Sequence, residues 1–162
     1  MSKQELLKEA KPISFNTEMV RAILDNRKTV TMRKIKNIPK NYVWFRWDED
    51  EDETFGITDG WRILESIRVK PKYKTGDMLQ VIEVVNDKEI PLEIFLKVTA
   101  VKVERMEDIT EEEAVKEGFI TTFRDGLYMT AKEMFLKVMM DIYGINDGYV
   151  YVYEFERIEV EK

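Results

Sequence analysis

The run from Leu92 to Met106, LEIFLKVTAVKVERM, does most to limit what this chain can fold into. It is dense in β-branched and apolar side chains and follows Pro91, so it reads as a long strand. Its apolar residues do not keep one parity from end to end. A strand whose parity drifts bends or bulges.

The other elements read from local signals. The closing segment YVYVYEFERIEV is a strand in which Tyr149, Tyr151, Tyr153 and Phe155 alternate with Val150 and Val152. PKYKTGDMLQVIEVV enters a strand through a turn at Gly76-Asp77. Asn16 or Thr17 caps a helix with Glu18 in its first turn and Met19, Ile23, Val20 and Leu24 on or beside its apolar face. Thr110 to Glu113 is a capping box opening a short helix that ends at Gly118. A further helix starts at Thr130, carries Phe135, Val138, Met139 and Ile142 at i, i+3, i+4 and i+7, and ends at Gly144. Its MFLKVMM segment reads as core packing. The sum is an α+β chain: a small, partly open β-barrel of about five or six strands with about three packed helices.

A length of 162 residues fits one domain with a real core. Residues 1–11 read as a polar lead-in and 12–160 as a single domain with an inserted hairpin or loop around 40–65. The insertion holds six consecutive carboxylates, Asp48 to Glu53, which repel one another and suit an exposed hairpin tip or loop. The aromatic run NYVWFRW and the Trp61 segment would be its arms. The acidic block lacks the glycine and terminal glutamate of an EF-hand.

Neither cysteine nor histidine occurs. That excludes a disulfide framework, a thiolate nucleophile and a Cys-based metal site, and removes the commonest general base and metal ligand. Phosphate-loop, dinucleotide and nucleophile-elbow motifs are absent as well, so no metal or cofactor is expected. Any catalysis would rest on Lys, Asp or Glu, Tyr and Ser or Thr. MSKQELLKEAK is no signal peptide, and no apolar run approaches the roughly 18–20 residues of a membrane span. The expectation is a cytoplasmic protein with no membrane association.

Against a net charge of −6, the stretch DNRKTVTMRK at 25–34 stands out. Arg21, Arg27, Lys28, Arg33, Lys34, Lys36 and Lys40 follow closely, opposed only by Asp25. Arg27 and Lys28 fall at a helix C-terminus, where the dipole favours cations. Thr29, Thr31 and Arg33 then alternate with Val30, Met32 and Lys34, as on a half-buried strand. Phosphate or carboxylate binding fits such a patch. An acidic chain argues against indiscriminate adhesion to nucleic acid and for a local site. The tyrosines of the last strand are a sheet face or, alternatively, stacking surfaces for exposed bases.

PISFNTEMVRAILDNRKTVTMR, YKTGDMLQVIE, IFLKVTAVKVERMEDITEEEAVKEG and YVYEFERI, in that order from Pro12 to Glu159, resemble the ASCH-domain family of the PUA-like superfamily. The likeness is greatest to uncharacterised ASCH proteins of phages and prophages. It implies a PUA-like β-barrel with a cleft beside the RKT-x-T-x-R segment, and binding of RNA or nucleotides. One branch of the family hydrolyses the amide of N4-acetylcytidine with a Lys, a Thr and a Glu. The matching positions here are Lys28, Thr31 and Glu117. The sequence departs from the family at Asn26, where glycine is usual, at Met32-Arg33, and in its large central insertion.

Three functions follow as expectations. The first is a binding protein for RNA, single-stranded nucleic acid, a nucleoside or a nucleotide, with Arg27, Lys28, Thr29, Thr31 and Arg33 lining a compact basic cleft. The second is an amidohydrolase of an acylated nucleoside. In it, Lys28 made neutral by desolvation and nearby cations accepts the Thr31 proton, Glu117 passes a proton to the leaving amine, and Arg33 steadies an oxyanion or a phosphate. The third is a phage accessory protein that binds a protein partner through residues 42–61. The plainest alternative has Lys28 capping a helix, Thr31 an ordinary strand residue and Glu117 a surface carboxylate.

Overall fold

The computed structural model describes residues 1–36, 43–46, 55–58, 67–124, 126–144 and 148–160. Its principal sheet is built from β1 (Lys11–Asn16), β2 (Val30–Lys34), β6 (Met78–Val85), β7 (Lys88–Arg105) and β10 (Tyr149–Ile158). The spatial order is β1-β6-β7-β10-β2. β1 runs parallel to β6, and the other pairings are antiparallel. The fold is α+β, a mixed five-stranded half-barrel with packed helices, whose edge strands are β1 and β2.

The drifting parity of β7 has a local cause. Glu154 and Phe155 of β10 are adjacent, yet they pair with Ala100 and Val98, which leaves Thr99 as an extra residue. Such a bulge switches the strand's faces. Buried positions change there from Leu96 and Val98 to Val101 and Val103, and all of them reach the same core cluster. Without the bulge one half of the strand would present its apolar side to the wrong face. β6 and β7 are joined through Asn86 (φ 48°) and Asp87 (φ 64°), two residue types that tolerate the positive φ of a tight hairpin turn.

β10 is paired along both edges, with β7 and β2, and its two faces enter two different core clusters. Tyr149, Tyr153 and Phe155 join the core shared with Ile13, Phe15 and Leu79. Val150 and Val152 join Val30 and Met32 beneath Phe135 and Met139. The tyrosine ladder is therefore mainly core, with Tyr151 partly buried at its margin.

Helix α1 (Lys3–Glu9) forms within the lead-in, with Ser2 as cap and Leu6 fully buried. α2 (Thr17–Leu24) is capped by Asn16. α3 (Glu111–Lys116) and α4 (Ala131–Tyr143) both open with the capping boxes that their Thr-x-x-Glu spacing requires. α4 ends at Gly144 in the left-handed conformation, as its sequence signals. Its methionines are not all core: Met139 is buried, whereas Met140, turned about 100° around the helix, is 43% exposed.

Between β2 and β6, β3 (Val43–Arg46) pairs with β4 (Phe55–Thr58), and β4 with β5 (Ile67–Val69), all antiparallel. Asp48 to Glu53 and Trp61 lie outside the described residues. A small hairpin, β8 (Thr122–Arg124) with β9 (Leu127–Met129), precedes α4. Among the described residues no helix is long and apolar enough to cross a membrane.

Candidate functional site

Two helix ends meet at the basic stretch. α2 stops at Asp25, and Asn26 takes a left-handed φ of 60°. The N–H groups of Asn26 and Arg27 then donate to the carbonyls of Ile23 and Ala22, at 3.1 and 2.9 Å. α3 ends in the same pattern around Gly118, whose N–H donates to Val115 O while that of Phe119 donates to Ala114 O. Both are Schellman closures, which need a residue that accepts positive φ. That need explains why Asn26 serves where glycine is usual.

Gly118 does more than turn the chain. At φ 109°, a Cβ there would stand 3.2 Å from the Ala22 Cβ and 3.5 Å from the Lys28 Cβ. Its bareness lets the end of α3 rest against the end of α2. The backbone of Thr29 completes the seam: its N–H donates to Lys116 O at 2.8 Å, and its carbonyl accepts from Phe155 N at 3.0 Å.

This packing puts Lys28 beside Glu117. The Lys28 ammonium donates to Val30 O and Glu117 O, each at 2.7 Å, and stands 3.2 Å from Glu117 Oε1. The side chains are 1% and 7% exposed. Among the described residues, the buried polar or charged ones are Lys28, Thr31 and Glu117. Lys28 thus reaches the C-cap carbonyl of α3 from within the core, and Glu117 is no surface carboxylate. The second carboxylate oxygen, Glu117 Oε2, is buried without a hydrogen-bond partner among the described residues. A buried unpaired acceptor is costly, so it marks a place where a donor belongs.

Burial governs the titration of both groups. It pushes the Lys28 ammonium down from its ordinary value, with Glu117 pulling back and the Arg33 charge adding to the fall. It pushes the Glu117 carboxyl up, opposed by Lys28, by a Met32 backbone amide and by Arg33. Burial thus works against the charged form of each group, and the opposite charge of its partner works for it.

Lys28, Thr31, Arg33 and Glu117 line one chamber of about 170 Å³, closed on other sides by Phe15, Phe119 and the α4 residues Val138, Met139, Ile142 and Tyr143. Part of the apolar face expected of α4 thus serves the site, and Ile142 remains 64% exposed at its edge. Arg33 spans the open side of the half-barrel: from β2 it donates to Ser14 O on β1, the opposite edge strand, at 2.8 Å. The Phe15 ring lies 5.5 Å from the Lys28 ammonium and 5.1 Å from the Arg33 guanidinium, within cation–π range.

Arg27 and Thr29 are placed elsewhere. Both are exposed, and neither lines the chamber. Arg27 donates to Gly118 O at 3.3 Å and pairs with Asp25 at 3.5 Å, so it fastens the two helix ends. Thr29 precedes β2 and acts through its backbone. Ser14 and Phe15 complete the site without having been singled out as site residues. Their signal was the alternation in Ile13-Ser14-Phe15, a short strand pattern before the helix cap. Among the described residues, no cluster of three or more His, Cys, Asp or Glu side chains is placed to hold a metal ion.

The chain matches no protein-family model and no curated protein. Among solved structures it is similar to the crystal structure of protein EF3133 from Enterococcus faecalis V583, described under the family model DUF984. The identity is 17% and the TM-score 0.45, with 85% of this chain and 65% of that one covered. The chain thus spans 65% of that protein's length.

Proposed function

We propose that this chain is a small amidohydrolase of the ASCH type that removes an acyl group from the exocyclic amine of a nucleobase or nucleoside. The observation that carries the reading is the buried Lys28–Glu117 pair, 3.2 Å apart, lining one small chamber with Thr31. Moving the shared proton from Lys28 to Glu117 creates a base and an acid at once. Neutral Lys28 keeps two N–H groups for Val30 O and Glu117 O and gains a lone pair.

In this reading the Thr31 hydroxyl attacks the amide carbon and its proton passes to Lys28. The C–N bond breaks as Glu117 protonates the leaving amine. Water then hydrolyses the Thr31 ester, releasing the carboxylic acid and restoring the hydroxyl. Arg33, at the mouth of the chamber, is the cation for the oxyanion. Glu117 Oε2, lacking a partner among the described residues, is the acceptor for an amino or hydroxyl hydrogen of the ligand.

Binding of RNA or a nucleotide without turnover is the second reading. It is favoured by the three acceptors that already surround the Lys28 ammonium, as in a purely structural pair. Incubation with a panel of acylated nucleosides and bases, followed by chromatography of the products, separates the two. The hydrolase reading expects deacylation that disappears in Lys28→Ala and in Thr31→Ala. Deacylation that persists in both sinks the assignment, and binding with no product at all selects the second reading.

A further inference from the structure

The inner chamber is small for a nucleoside. At about 170 Å³ it falls below the roughly 300 Å³ at which ligand pockets usually begin. A second chamber of about 430 Å³ adjoins it, and Ser14 and Arg33 line both. We infer that this outer chamber is a phosphate subsite adjoining the inner one, so that an acylated nucleotide is bound in preference to the corresponding free base or nucleoside. The inference deepens the reading of the inner chamber as the deacylation site and rests on it for the substrate's orientation.

The lining favours an anion. Arg33 enters as a planar donor fork whose position is set by Ser14 O at 2.8 Å and by the Phe15 ring. A fork of that shape suits phosphate oxygens. Lys72 brings a second cation, held 5.6 Å over the Tyr73 ring. Glu89 is the carboxylate among the lining residues.

The wall behind these cations is stiff. The Tyr73 hydroxyl donates to Pro12 O at 2.5 Å, on the edge of β1. The Tyr153 hydroxyl accepts from Lys72 N at 3.2 Å, and the two rings meet edge to face at 5.3 Å. The Lys72 backbone is thereby held, and its exposed side chain lies over the Tyr73 ring with its ammonium open to an anion. The positive charge of Arg33 is felt on both sides: it adds to the fall of Lys28, and it opposes the burial that pushes Glu117 up in the inner chamber and Tyr73 up in the outer.

The test is calorimetric titration of cytidine and cytidine 5′-monophosphate at low salt, with a six-nucleotide RNA as a third probe. The monophosphate is expected to bind about tenfold more tightly than cytidine, the worth of one charge-assisted contact. Lys72→Gln should erase most of that preference while cytidine binding stays unchanged, and added salt should shrink it. Equal affinity for the two small ligands, binding of neither, or a preference that survives Lys72→Gln and Arg33→Gln overturns the subsite. Binding of the RNA alone overturns it too, in favour of a polymer surface. None of these probes carries an acyl group. Phosphate preference without deacylation therefore removes the hydrolase and keeps the subsite, and deacylation without phosphate preference does the reverse.

Discussion

The Lys28 ammonium and the Glu117 carboxylate face each other at 3.2 Å, although 89 positions separate them in the chain and almost no water reaches either side chain. Isolated burial of one such charge is costly, and the pair is tolerable because each ion compensates the other. The whole junction of α2, α3 and β2 is arranged around that compensation.

Removing both partners should therefore cost less than the two single removals added together. Lys28→Met leaves a buried carboxylate and is expected to lose about 3–5 kcal/mol. Lys28→Met combined with Glu117→Met should lose less than the sum of the single variants by at least about 1 kcal/mol. Urea unfolding of the wild type and three variants measures this directly. Additive losses would mean that the two groups do not depend on each other.

Gly118→Ala should harm folding and activity together. A side chain at φ 109° is strained, and its Cβ would press on that of Ala22 at 3.2 Å. The expected loss is about 1–3 kcal/mol, with a larger fractional loss of turnover because Glu117 is the adjacent residue. An alanine variant as stable and active as the wild type would show that the close approach of α2 and α3 is dispensable.

A second carboxyl sets part of the pH dependence of stability. Glu104 on β7 is pushed up from 4.5 to about 7 by partial burial, with a hydrogen bond and charge from Glu113 adding to it. Between those values the folded chain holds a proton that the unfolded chain has lost. Its contribution is complete below about pH 4.5 and is lost as the pH rises toward about 7. Glu104→Gln should flatten the fall in urea midpoint over that window and leave the variant more stable than the wild type at pH 8. An unchanged slope would contradict this.

Local chemistry made much of the fold legible. Thr110 and Thr130 with glutamates three positions on, and Gly118 and Gly144 as stops, define α3 and α4 through contacts within a few residues. β10 was readable because Tyr and Val alternate along it. What could not be read were relationships over long separations. The parallel pairing of β1 with β6 is set by tertiary packing, and nothing local announces it. The drift of β7 signalled a bulge, but Thr99 as its position depends on register with β10.

The site divides in the same way. Spacing could place Thr31 and Arg33 on one face of a strand, and it did so correctly. It also placed Thr29 there, and missed because the strand begins one residue later, at Val30. No periodicity links Lys28 with Glu117; that pairing came from the family resemblance. Phe15 and Tyr73 carry no site signal in the sequence, because a large aromatic reads as core until the open edge of the sheet is known, and Tyr151 belongs to a ladder that the sequence leaves open between sheet face and stacking surface.

The proposed hydrolysis rests on Thr31 attacking an amide held beside the Lys28–Glu117 pair. Acetate released from N4-acetylcytidine or its 5′-monophosphate, measured for the wild type, Thr31→Ser and Thr31→Val, tests it most directly. Turnover by the wild type, retained activity in the serine variant and a loss of at least about a thousandfold in the valine variant are expected. Acetate release by Thr31→Val at the wild-type rate would contradict it.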